Sequence, residues 1–210
     1  MTKPTREEVA RLIVRRDKSF RDVVRLAGPP PARRNAPVEE RFQFLVRSIV
    51  AQLLATSAAN TIHERVIETC DGAVSVESIL AAGPVTLKSA GLSRTKAEAM
   101  VDLAERVRQG HVRIDRHGYM DDHEILSEVT SVRGIGPWTA HMYLMHTMAR
   151  RDVWPAGDYG VRSGWSIVHD LDETISEREL AREGDRFSGV RSAVAWYCWQ
   201  AVHFARANYS

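Results

Sequence analysis

Residues 131–164 read SVRGIGPWTAHMYLMHTMARRDVWPAGDYGVRSG. Gly134 and Gly136 on either side of Ile135 permit positive φ and predict a tight turn. Pro137 suits the first turn of a following helix, where its missing N–H costs nothing. That helix is expected to run to about Arg150. A polar, proline-containing loop then delivers Asp158 ahead of another helix. The N–H groups after Gly136 would meet an anion such as a phosphate at a helix N-terminus. The plainer reading is an ordinary helix–turn–helix corner, since Gly-x-Gly alone is a weak signal. It is not a dinucleotide loop, because no strand precedes it and no third glycine follows at the required spacing.

Outward from this stretch, apolar residues recur at spacings of three and four, and no sustained period-two alternation occurs, so the chain reads as all-α. Thr5 to Ala27 predicts one or two helices, with Thr5 as N-cap and Glu8 as its reciprocal partner. Gly28 and three prolines stop that run, and GPPPARRNAP is a linker. Val38 to Leu54 follows, with Phe42, Leu45, Val46, Ile49 and Val50 on one face. Further helices are expected over Ala55–Cys70, Ser75–Ala82 and Val85–Ala90. Ser93 caps another to about Gln109, and Asp121, with Glu124, caps one to about Thr130. Val161–Val168, Ser176–Phe187 and Val190–Phe204 complete the set.

The chain has 210 residues, 44% of them hydrophobic, enough for one sizeable domain or two small ones sharing a core. A formal charge of +2 announces no nucleic-acid binder. Only Lys3, Lys18, Lys88 and Lys96 are lysines; the arginine bias suits bidentate phosphate contacts, but a GC-rich genome is the better explanation of it. Cys70 and Cys198 lie far apart without a CxxC, which argues against zinc or an iron–sulfur cluster. His117, His123, His141 and His146 form no metal pair at helical spacing and read as surface or core side chains. The N-terminus lacks a signal-peptide core, and no stretch approaches the ~20 apolar residues of a membrane span. A cytoplasmic protein with no membrane partner is expected.

LSEVTSVRGIGPWTAHMYLM (126–145) followed by RRDVWPAGDYGVR (150–162) resembles the hairpin and the aspartate loop of the helix-hairpin-helix DNA glycosylase superfamily. FLVRSIVAQLLATSAANTIHERV (44–66), GLSRTKAEAMVDLAERV (91–107) and VRSAVAWYCWQ (190–200) are similar to its 3-methyladenine DNA glycosylase II family. The resemblance runs from about Val38 to the C-terminus. It implies the short form, without the N-terminal α/β domain of long members.

The resemblance implies a catalytic carboxylate at Asp158, where the plain reading is a helix N-cap. Trp138 stands where bifunctional members carry a lysine nucleophile, which implies water attack. Trp138 and Trp199 match base-pocket tryptophans. Met142, one turn after Trp138, and Tyr159 are expected beside them, and Trp154 is a weaker candidate that reads as core. At the turn holding Gln52 and Leu53, Leu53 is the expected wedge into the duplex; the alternative is a core leucine at a helix end. Gly134, Ile135, Gly136 and Thr139 would contact DNA. Main-chain carbonyls of Thr130, Val132 and Ile135 would hold a monovalent cation, and no other cofactor is required. Lys96 is expected to contact phosphate or lie solvated on the surface.

The implied architecture is two-lobed. Residues 1–37 pack with the C-terminal lobe, 38–151 form a helical barrel with the hairpin, and 152–210 carry the aspartate loop and final helices, with the active cleft between the lobes. The implied function is a monofunctional glycosylase, a monomer on double-stranded DNA (nucleoid-associated in a bacterium), releasing alkylated bases such as 3-methyladenine and 7-methylguanine by base flipping. The alternatives are a glycosylase for oxidised or mismatched bases, and a non-catalytic DNA-binding module.

Overall fold

The computed structural model describes residues 3–207, and among them every regular element is helical. Eleven α-helices follow in order: α1 (Arg6–Arg16), α2 (Arg21–Ala27), α3 (Val38–Ala51), α4 (Thr56–Thr69), α5 (Val76–Ser89), α6 (Arg94–Arg108), α7 (Asp122–Thr130), α8 (Pro137–Met142), α9 (Tyr159–Val168), α10 (Glu177–Glu183) and α11 (Arg191–Ala207). No helix among these residues is long and apolar enough to cross a membrane.

The helix starts follow capping chemistry. Thr5 and Glu8 exchange side-chain and backbone hydrogen bonds ahead of α1, as do Asp121 and Glu124 ahead of α7, and Ser93 accepts the Lys96 N–H ahead of α6. Helix ends depart further from expectation. α3 stops at Ala51 rather than Leu54, because Gln52 turns to ψ 126° and Leu53 takes a left-handed φ of 57°. The helix from Pro137 does not reach Arg150. It widens into a π-helix over Tyr143–Thr147, where the Met148 N–H reaches back to the Tyr143 carbonyl, and it ends there. α5 is interrupted at Gly83 (φ 67°), just before Pro84.

The chain divides into two compact units: residues 34–149, and the remainder on either side of them in sequence. In the 34–149 unit, α3 buries Phe42, Leu45, Val46, Ile49 and Val50. It also buries Arg41, whose guanidinium donates to the carbonyls of Ala36 (2.9 Å) and Ile114 (2.6 Å). His117 is fully buried, with Nδ1 2.8 Å from the Tyr143 hydroxyl and Nε2 3.2 Å from Glu128. These two polar anchors hold the irregular segment between α6 and α7, which also buries Val112, Ile114 and Met120 in the core. Burial lowers the His117 pKa against the opposing pull of Glu128.

In the other unit, Phe20, Trp165 and Phe187 meet edge-to-face, and His169 stacks on Trp165 with centroids 4.2 Å apart. The Trp154 indole N–H donates to the Leu180 carbonyl at 2.8 Å, which fits the core reading of that tryptophan. Asp152 accepts N–H bonds from Gly189 and from the Arg191 guanidinium. Burial pushes its pKa up, but the Arg191 bonds and the Gly189 N–H outweigh this and leave it below the ordinary carboxylate value.

α9 crosses α11 at Gly164, where a Cβ would lie 1.9 Å from the Cys198 carbonyl oxygen. The obstacle is backbone and cannot rotate aside. Gly164→Ala is therefore expected to cost about 3 kcal/mol or more and to lower Tm by roughly 6–12 °C. An unchanged thermal melt would contradict so close a crossing.

Candidate active site and nucleic-acid interface

Two clusters, one in each unit, hold the residues singled out in the sequence.

The first is built on Asp158. Turns through the Trp154 and Pro155 carbonyls, which accept the N–H groups of Ala156 and Asp158, tighten the loop before α9. Asp158 is the N-cap of α9, and its Oδ1 accepts the Val161 N–H at 2.8 Å. The cap reading is thus correct as local structure. The same oxygen also accepts the Trp199 indole N–H at 2.9 Å, across 41 residues of sequence. Asp158 is only 8% exposed, and its charge sits where the α9 dipole favours an anion.

Gly160 makes this geometry possible. A Cβ there would stand 2.9 Å from Trp199 Cδ1 and 3.1 Å from Asp158 Oδ1. Gly160 was missed in the sequence, although a glycine in the first turn of a helix, two residues after an aspartate, is itself a signal. The neighbouring Cys198 thiol is pushed up in pKa by burial and then by the Asp158 charge, so it is no nucleophile. Tyr159 is 67% exposed beside the carboxylate, and Trp199 is half-buried.

The second cluster is the turn between α7 and α8. Gly134 takes φ +76°, and the Ile135 N–H donates to the Val132 carbonyl at 3.1 Å. Val132, Ile135 and Thr139 are buried and anchor the turn. The Thr139 side chain is therefore not presented outward; its main-chain N–H lies in the first turn of α8. Gly136 is extended (φ −96°) and a Cβ there meets nothing within 4 Å, so only Gly134 has the positive φ expected of both glycines. Trp138 is 54% exposed whereas Met142, one turn on, is buried, so the two do not share an exposed face.

Leu53 stands fully exposed at the end of α3, which excludes the core-leucine alternative. The Gln52 side-chain amide donates to the Gly134 carbonyl at 2.7 Å, tying the Leu53 turn to the hairpin. The Lys96 ammonium donates to the carbonyls of Val50 (2.8 Å) and Gln52 (2.7 Å). This corrects the expectation for Lys96: it is neither a solvated surface charge nor aimed outward at phosphate.

The sequence matches the family described as HhH-GPD superfamily base excision DNA repair protein over residues 46–188. The chain belongs to that superfamily. It is 26% identical to DNA-3-methyladenine glycosylase 1 of Schizosaccharomyces pombe, the match covering 90% of this chain and 84% of that protein. A Schizosaccharomyces pombe 3-methyladenine DNA glycosylase solved in complex with abasic DNA superposes with a TM-score of 0.80 at 25% identity, covering 91% of this chain and 95% of that one. A DNA-3-methyladenine glycosidase from Bacillus halodurans superposes at 0.83 with 28% identity, covering 94% and 91%. Within this HhH-GPD fold both clusters fall inside the matched residues, except for α11, which begins after residue 188 and carries Trp199 at its middle.

The two hairpin glycines should separate on substitution. Gly134→Ala places a side chain at positive φ and is expected to cost about 1 kcal/mol of stability, seen as an earlier urea midpoint. Gly136→Ala should unfold with the wild type. Equal midpoints for both variants would contradict the turn geometry.

Proposed function

We propose that this protein is a monofunctional DNA glycosylase that hydrolyses the N-glycosidic bond of alkylated bases, among them 3-methyladenine and 7-methylguanine, in double-stranded DNA. The observation that carries the reading is Asp158: a nearly buried carboxylate held by two N–H donors, in a member of a base excision repair superfamily. The names of its relatives and the abasic DNA bound by one of them support the substrate class.

In the proposed reaction the duplex is gripped at the hairpin. Main-chain N–H groups around Gly136 and the first turn of α8 receive a phosphate, and the open space at Gly136 lets the backbone approach it closely. The target nucleotide flips out and Leu53 enters the vacated stack, offsetting part of the unstacking cost. An alkylated purine carries positive charge and is already a good leaving group. Tyr159, an exposed aromatic face beside Asp158, attracts that cation with Trp199 next to it; on α8 Trp138 offers an exposed aromatic face of its own, whereas the buried Met142 offers none. As the bond to C1′ breaks, positive charge grows on the sugar, and the Asp158 carboxylate stabilises it. Water adds to C1′, its proton leaves, and the neutral base departs from an abasic site.

No lysine replaces water in this scheme. Trp138 occupies the hairpin position, and Lys96 spends its ammonium on two carbonyls. Carbonyls of Thr130, Val132 and Ile135 would hold a monovalent cation at the hairpin; the Val132 carbonyl already takes the Ile135 N–H and keeps a second lone pair for such an ion. The cation would supply only charge beside the phosphate. The protein acts as a cytoplasmic monomer on this reading.

Asp158→Asn keeps the cap and should bind abasic duplex as the wild type does, while methylated-base release falls by several orders of magnitude. Near wild-type release would remove the carboxylate from the chemistry. Borohydride added during turnover should trap no covalent protein–DNA adduct, and the abasic strands should stay intact until alkali treatment. Efficient trapping would instead reveal an amine nucleophile.

A further inference from the structure

Lys96 is out of place by local rules. It occupies the third position of α6, where the helix dipole disfavours a cation and where a capping box would carry Glu or Gln. Burial also lowers its pKa. A residue that violates local preference marks a constraint from elsewhere in the fold. Here the constraint is visible. α3 ends abruptly at Ala51, leaving last-turn carbonyls without helical partners. Leu53 then takes a left-handed conformation that a leucine adopts only when its surroundings impose it. The Lys96 ammonium bonds the carbonyls of Val50 and Gln52, on either side of Ala51, and so closes the turn immediately before Leu53.

The same helix also carries the hairpin. Gly134 packs beside Ala99: a Cβ on the glycine would lie at ordinary contact distance, 3.5 Å, from the Ala99 Cβ. The Arg133 N–H donates to Asp102 at 2.8 Å, and the Arg133 guanidinium pairs with Glu98 at 2.8 Å. α6 thus holds the Leu53 turn at Lys96 and the hairpin at Glu98, Ala99 and Asp102, while Gln52 bonds the two turns directly.

We propose that Lys96 is a positioning residue for base flipping: by capping the end of α3 it holds the Gln52–Leu53 turn so that Leu53 is presented to the duplex at a fixed distance from the phosphate-gripping hairpin. Lys96 itself touches neither DNA nor the reacting atoms. The inference rests on the reading of Leu53 as the wedge.

The test is a double-mutant cycle on the full chain with Leu53→Ala, Lys96→Met and both together. Each variant is titrated with a duplex containing a tetrahydrofuran abasic analogue and with the same duplex undamaged, and 2-aminopurine fluorescence beside the lesion reports unstacking. Lys96→Met should weaken abasic binding about tenfold and reduce the 2-aminopurine signal, while binding to undamaged duplex stays within about twofold. The double variant should be no weaker than Leu53→Ala alone, because the lysine acts through the leucine. Lys96→Arg, which keeps a cationic donor, should recover most of the loss. If Lys96→Met does not melt cooperatively, Lys96→Gln replaces it in the cycle with the same expectations. Equal losses on both duplexes would make Lys96 a phosphate contact and overturn the proposal, as would additive losses in the double variant or wild-type discrimination in Lys96→Met. If Leu53→Ala leaves abasic binding untouched, the wedge reading fails and this inference falls with it.

Discussion

A single oxygen, Oδ1 of Asp158, receives N–H groups from two helices: Val161 of α9 and Trp199 of α11. Much of the unit that contains it is arranged around that requirement. Gly160 leaves room for the indole edge, and Gly164 lets the two helix backbones close to a separation that no side chain at that position would allow. The Trp165 aromatic cluster packs the remainder of α9. The carboxylate is thereby held in one orientation before any substrate arrives. Preorganisation of this kind is what charge stabilisation in a transition state demands, because no reorganisation then has to accompany the developing charge.

The hairpin unit solves a different problem with the same economy of parts. On the proposed function, two turns must present a phosphate grip and an apolar side chain at a set spacing, and turns are intrinsically soft. α6 supplies rigidity to both through Lys96, Glu98, Ala99 and Asp102. Leu53, exposed and in a left-handed conformation, is a cost that stability alone does not explain.

What was legible in the sequence was chiefly what is local. Capping pairs such as Thr5 with Glu8 and Asp121 with Glu124 act over three residues and carry their own chemical signature. The buried face of α3 follows from its period alone. Asp158 could be located from its motif. Its partner bond could not, because the tryptophan lies 41 residues away and indole offers the same residue letter to core packing, base stacking and hydrogen bonding. Lys96 runs against its sequence reading for a related reason: its ammonium acts across 44 and 46 residues, and its local oddity, a cation in the first turn of α6, does not say which carbonyls it reaches. The two hairpin glycines look alike in sequence, yet Gly134 is set by backbone conformation, while the extended Gly136 owes its lack of a side chain to nothing within the protein. The π-turn after Met142, where Tyr143 is buried against Phe44 and His117, has no sequence signature of its own.

The Trp199 indole N–H is the long-range bond that orients Asp158. Phenylalanine at position 199 preserves an aromatic face but removes the N–H donor, so it separates base stacking from carboxylate orientation. The direct measurement is the single-turnover rate of 7-methylguanine release from a methylated duplex by Trp199→Phe, alongside its affinity for abasic duplex. A carboxylate held by the indole predicts a rate lower by on the order of 10- to 100-fold, the worth of a hydrogen bond to a charged group, with abasic affinity retained. Release at the wild-type rate would show that the Asp158–Trp199 bond does not contribute to catalysis and would contradict the account.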